Sequence, residues 1–227
     1  MQHNRKMRYT SAFLILGIAT LVLVILNVCI GTVEIPFRDI LTSIGGYSVE
    51  NERILWDIRM PRTLAALILG GALGLAGYLL QTFFHNPIAG PFVLGISSGA
   101  KMVVALVMVF LMGNAIRVSS AALIAAAFVG AMLSMGFVLA VSHKVHHMAM
   151  LVVSGVMIGY ICSAITELVV TFASDADIVN LHNWSRGSFS GMTWDNVTVI
   201  TGVVFVTFLL VFLIAKPLGA YQLGEVY

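Results

Sequence analysis

Charge is what this sequence has least of. Only 10% of its 227 residues are Asp, Glu, Lys or Arg, while 59% are hydrophobic and the mean hydropathy is +1.00. A soluble domain carries about 25% charged residues. A water-soluble fold of this length would lack the polar surface to cover its core, whereas in lipid an outward apolar face costs nothing. The net charge of +2 is too small to suggest nucleic-acid binding. Cysteine is nearly absent too. Cys29 and Cys162 lie in different apolar runs at different expected depths, which argues against a disulfide, and two cysteines alone make no metal site. The five prolines, Pro36, Pro61, Pro87, Pro91 and Pro217, all fall outside the apolar runs, as expected if those runs are helix interiors. Alternating ten-residue segments are missing, which argues against a transmembrane β-barrel.

What is present is length. A span needs roughly 20 mostly apolar residues, and six runs qualify: 12–30, 63–84, 92–112, 119–141, 149–173 and 197–215. Lys101 and Glu167 are the only charges inside them. The expected fold class is therefore an all-α integral membrane protein with six transmembrane helices. The first run follows the basic stretch HNRKMR, but it is longer than a secretory h-region and no A-x-A-like site follows, so it reads as a retained helix. The basic tail favours a cytoplasmic N-terminus. The three tryptophans, Trp56, Trp184 and Trp194, then lie outside, and Lys101 lies close to the cytoplasmic side.

Residues 31–61 form the longest outer connection and end in RMPRTL. Pro61 suits the first turn of the second helix, where its missing N–H costs nothing. Arg59 and Arg62 flank it and can point out of the membrane together. They either snorkel to headgroups or form a docking patch for an acidic partner, since arginine forks carboxylates. Along the second helix Ala66, Gly70, Gly74 and Gly77 make a small-residue stripe suited to tight packing within one subunit. Gln81 is a polar residue near its inner end. Asn86-Pro87 stops that helix, and Pro91 can start the next element. GISSGA then carries glycine- and serine-rich backbone into the membrane. GISSGAKM is no phosphate loop, because Ala100 and Met102 stand where G-x-x-x-x-G-K-[ST] needs Gly and Ser or Thr. Glu167 is an intramembrane carboxylate, a functional candidate by type. It can equally face an outer vestibule. His143, His146 and His147 have spacings a metal could use, but no carboxylate or cysteine accompanies them, and a structural or charge role is the reading taken.

The block RMPRTLAALILGGALGLAGYLLQTFFHNPIAGPFVLGISSGA resembles the signature of the iron-siderophore, haem and cobalamin permeases, the membrane subunits of type II ABC importers. That family shows R-x-P-R, then G-A-x-L-x-x-A-G-x-x-x-Q, then N-P-x-A-x-P-x-x-L-G-x-x-x-G-A. VVSGVMIGYICSAITELVV, NWSRGSFSGMTW and LGAYQLGEVY are similar to later segments of the family. The resemblance implies alternating access without chemistry on this chain, and no cofactor. The implied partners are a second permease subunit, cytoplasmic ABC ATPase subunits and an extracytoplasmic substrate-binding protein. The implied location is a bacterial cell membrane. It implies that Arg59 and Arg62, with Arg53 nearby, receive acidic residues of the binding protein. It places Asn86, Pro87, Pro91 and Gly95 at a tight turn into the third helix. Gln81, Ser97, Ser98 and Glu167 are expected on the translocation side, and Leu223, Gly224 and Glu225 at the ATPase contact. Family members have roughly ten helices against the six counted here. Residues 1–227 are therefore expected to form a single permease domain that stops within the coupling segment. Lys101 departs from the small or apolar residue expected early in the third helix, and snorkelling to the cytoplasm is its expected role. The alternatives are an ion-coupled carrier, for which Glu167 is the acidic candidate, and an intramembrane enzyme, for which Ser97 and Ser98 lack a histidine partner.

Overall fold

The structure is a computed structural model and describes residues 2–47, 51–87, 90, 92, 94–112, 119–142, 144 and 148–222. All regular elements among the described residues are helical: α1 (Gln2–Cys29), α2 (Phe37–Ile44), α3 (Met60–Phe84), α4 (Ile96–Val107), α5 (Ser120–Ser142), α6 (Met148–Thr171), α7 (Asp175–Arg186), α8 (Trp194–Leu213) and α9 (Ala215–Gln222). A π-helical stretch, Ile54–Arg59, leads into α3, and another, Met108–Met112, extends α4. Among the described residues, five helices are long and apolar enough to cross a membrane: Lys6–Cys29, Ile54–Phe84, Ala121–Ser142, Met150–Thr171 and Trp194–Leu213. The sixth expected span, 92–112, contains only the shorter apolar helix Ile96–Phe110. The chain divides into two compact units, Met1–Gly71 with Phe189–Val211, and Ala72–Ser188 with Phe212–Tyr227.

In the first unit, Val28, Ile35, Ile40 and Leu55 form a buried cluster, with Trp56 and Met60 packed against it. Trp56 Nε1 donates to Ser43 Oγ at 2.8 Å, tying α2 to the π-helical stretch. The second span is longer than the sequence suggested, because Pro61 does not begin its helix. The backbone runs through it from the π-helical stretch, where Met60 N–H bonds the Leu55 carbonyl. The next bond of that ladder would need an N–H on Pro61, which proline lacks. The Trp56 carbonyl left over accepts the Trp194 indole N–H at 2.9 Å instead. The wider turn and the borrowed donor together let a proline sit inside a continuous helix.

The second unit is built on α4. Leu94 clusters with Val138, and Val104 with Ala126, so α5 runs antiparallel to α4. Gly95 lies against Gly155 and Gly159, and Val104 clusters with Val169, so α6 runs parallel to it. Glycine makes these contacts possible. A Cβ at Gly99 would stand 1.9 Å from Ser134 Oγ and 2.6 Å from the Gly130 carbonyl oxygen, and one at Gly130 would stand 2.2 Å from the Gly99 carbonyl oxygen. The stripe on α3 differs from expectation: a Cβ at Gly70, Gly74 or Gly77 would meet no described atom within 4 Å. The close backbone packing among the described residues falls to α4, α5 and α6.

α3 ends at Phe84, where the run 63–84 was expected to end, and the stop is made at His85, ahead of Asn86-Pro87. His85 adopts φ +48. Its N–H bonds the Thr82 carbonyl at 3.3 Å, and the Asn86 N–H reaches the Gln81 carbonyl at 3.1 Å. These are the paired bonds of a left-handed helix stop, with histidine where glycine is usual. Tyr221 of α9 completes it, stacking on Phe83 and donating its hydroxyl to the Phe83 carbonyl at 3.1 Å.

Candidate functional site

The R-x-P-R corner lies wholly in the first unit. Sequence reading treated its arginines as a pair; the structure separates them. Arg59 is 7% exposed. Its Nη1 donates to the Val28 carbonyl at 2.6 Å and to the Cys29 carbonyl at 3.0 Å. Its Nη2 donates to the Val33 carbonyl. Val28 and Cys29 end α1, where the last carbonyls have no partner within the helix and carry partial negative charge. Arg59 therefore does not point outward beside Arg62. Arg62 is exposed, as is Arg53 just before the π-helical stretch. A cavity of about 440 Å³ opens here, lined by Asn27, Ile30, Gly31, Arg59, Arg62 and Phe189 among others. Thr63 Oγ1 donates to Asn27 Oδ1 at 2.7 Å, closing the corner from the next turn.

In the second unit the turn residues and the serines fall at the start of α4. Gly95 has φ +69, which its missing side chain permits, and its N–H bonds the Phe92 carbonyl at 3.4 Å. Ser97 is exposed and Ser98 half-buried. Ser98 lines a pocket of about 250 Å³ with Phe92, Gly95, Val156, Gly159, Tyr160 and Ser163. Gln81 is exposed on the last turns of α3. Asn86 and Pro87 follow it in an exposed turn.

Lys101 and Glu167 line one pocket, which the sequence did not anticipate. It has a volume of about 250 Å³ and is lined also by Thr166, Val170, Ile178, Leu181 and His182. Gly95 already sits beside Gly155 and Gly159 of α6. At 1.5 Å rise per residue, that is about 10–16 Å along α6 from Met148. Because α4 starts part-way along its parallel neighbour, Lys101 is carried toward the far end of α6. Within its own helix Lys101 stays in the second turn of α4, early in the third helix as expected. A parallel pair starting at different depths leaves no mark in composition; the clue is the glycine-rich dip before it.

Pro91, the coupling residues Leu223, Gly224 and Glu225, and the histidines His143, His146 and His147 lie outside the described residues. Among the described residues no group of three or more His, Cys, Asp and Glu is placed to hold a metal ion.

Long apolar helices, glycine-mediated packing and a polar corner at one helix start define a multi-pass helical membrane protein. The chain matches the FecCD transport family over residues 19–227 and belongs to it. It is 33% identical over 226 residues to a vitamin B12 import system permease protein BtuC of Klebsiella pneumoniae, covering 100% of this chain and 64% of that relative. It is 32% identical over 224 residues to the protein of the same name from Citrobacter koseri, covering 99% and 64%. The chain thus spans 64% of the length of these relatives. In fold it is similar to a solved structure described as an inward-facing conformation of a metal-chelate type ABC transporter. The TM-score is 0.78 at 20% identity, over 96% of this chain and 66% of that one.

Proposed function

We propose that this chain acts as a transmembrane permease subunit of an ABC importer. In this reading it is not itself an enzyme: ATP is hydrolysed on separate ATPase subunits, and a binding protein delivers cargo to the outer face of the inner membrane. The cargo class is cobalamin or an iron chelate, ferric siderophore or haem. The names of the relatives support cobalamin first. The N-terminus is cytoplasmic, in keeping with the basic residues Arg5, Lys6 and Arg8. The path runs past Gln81, Ser97, Ser98 and Glu167, and a second permease subunit supplies its other wall. Residues 1–227 act as one permease domain, with Leu223, Gly224 and Glu225 at the ATPase contact.

The observation that carries the reading is the exposed Arg62 at the mouth of a cavity of about 440 Å³, within a chain that matches the family over residues 19–227. A guanidinium there suits a carboxylate from a partner protein, with Arg53 as a second cation. The test places the chain in nanodiscs and titrates it with the binding protein. Arg62→Glu is expected to weaken binding by about tenfold or more at low salt, which corresponds to about 1.4 kcal/mol. Unchanged affinity in that variant would remove the docking reading. The pocket shared by Lys101 and Glu167 is what favours a second reading, an ion-coupled carrier. Uptake that continues without ATP would select it.

A further inference from the structure

We infer that Arg59 is a positioning residue, which locks the end of α1 to the start of α3 and so sets where Arg62 stands. The functional consequence rests on the docking reading; the lock itself does not.

Four observations converge on it. Arg59 is 7% exposed, so its charge is removed from water and needs protein partners. Its Nη1 and Nη2 serve three carbonyls, of Val28, Cys29 and Val33. These lie 26 to 31 residues earlier in the chain, so each bond ties distant segments together. Gly31 forms the seat: a Cβ there would stand 2.5 Å from Arg59 Nη2 and 3.0 Å from its Cζ. Any side chain at position 31 would compete with the guanidinium for the same space. Thr63 then binds Asn27 at 2.7 Å. The backbone of Arg62 is thus held from residue 59 and from residue 63, and its own side chain is exposed.

The chemistry favours arginine for this task. A planar guanidinium offers five N–H groups in a fixed fork, enough to serve several carbonyls at once. An ammonium keeps the charge but not the fork. Arg59 contributes to the wall of the cavity of about 440 Å³ with both of its terminal nitrogens given to backbone. Of the two arginines of R-x-P-R, Arg62 is the one exposed to a partner, with Arg53 also exposed nearby.

The test uses the full chain in nanodiscs with two readouts: hydrogen exchange at the backbone amides of residues 28–35, and binding-protein affinity as a function of salt. Arg59→Lys and Gly31→Ala are each expected to speed exchange there by about tenfold or more, as local opening becomes easier. Adding Gly31→Ala to Arg59→Ala is expected to change exchange little further, since both break one lock. Arg62→Ala is expected to leave exchange unchanged and to flatten the salt dependence of binding, because it removes a steering charge. Arg59→Lys is expected to lower affinity with the salt dependence kept. The inference is overturned if Arg59→Lys and Gly31→Ala leave exchange at 28–35 unchanged, or if Arg59→Lys behaves as wild type in both readouts. Faster exchange in the lock variants, with affinity unmoved in every variant, would uphold the lock and reject docking at this corner.

Discussion

A single methyl group at Gly99 tests the packing on which the second unit depends. The alanine Cβ would stand 1.9 Å from Ser134 Oγ and 2.6 Å from the Gly130 carbonyl oxygen. The serine can rotate away at the loss of its contact with Cys162 Sγ, 3.7 Å off. The carbonyl belongs to the α5 backbone and cannot. Ordinary contact begins at 3.4 Å, so α4 and α5 must part by about 0.8 Å. Gaps of that size forfeit a quarter to a half of the dispersion energy of the atoms they separate. Overpacking of this kind costs about 1–3 kcal/mol. Alanine's better helix propensity returns about 0.8–1.0 kcal/mol where a helix is otherwise free. A net loss of up to about 2 kcal/mol is expected, a factor of up to roughly 30 in the folded population, and Gly99→Ala is expected to fall about 1–3 kcal/mol below a glycine-to-alanine change that meets no neighbour. Gly74→Ala is the control: it meets nothing within 4 Å and is expected to be neutral or stabilising. The assay is reversible unfolding of both variants in mixed micelles, followed by circular dichroism. Gly99→Ala as stable as Gly74→Ala would refute the close α4–α5 contact.

Trp194→Phe removes the donor that serves the Trp56 carbonyl and is expected to cost about 1–2 kcal/mol, read in the same unfolding assay. Gly95→Ala is expected to be more damaging than Gly99→Ala. It adds a side chain at φ +69 and drives a Cβ to 2.6 Å from the Gly155 carbonyl oxygen, and fluorescence-detected chromatography of the expressed variant reads the outcome. Lys101→Glu and Glu167→Lys are each expected to lower stability in the membrane, and the double exchange to restore most of it, because both side chains line one pocket. Additive losses in the double variant would show that the two charges do not interact.

Much of the helical layout was legible because lipid forces it: a spanning backbone must satisfy itself, and the only economical way is a long apolar helix. The close packing expected of the α3 stripe fell instead to Gly95, Gly99 and Gly130. What composition could not show was reach. Arg59 and Arg62 are three residues apart and chemically alike, yet one turns to carbonyls 26 to 31 residues upstream and the other to the surface. Nothing in R-x-P-R distinguishes them; Gly31 does, but only once the fold brings it beneath the guanidinium. Pro61 read as a helix start because the π-helical stretch before it and the indole of Trp194 are both tertiary answers to a missing N–H. His85 could not be read as the left-handed stop of α3, since glycine or asparagine is the usual signal. The pocket that Lys101 shares with Glu167 was not legible, because hydropathy marks that a segment is apolar and not where along its neighbour it begins.

The role proposed for this chain is to carry cargo in an importer driven by ATP. Its most direct test is uptake of labelled cobalamin, and separately of a ferric chelate and of haem, by right-side-out membrane vesicles from cells producing the chain, its ATPase and its binding protein. One of these cargoes is expected to accumulate when the vesicles are loaded with ATP; vanadate is expected to stop it, and a protonophore to leave it running while ATP is held constant. Accumulation that proceeds without ATP and collapses with the protonophore would contradict it.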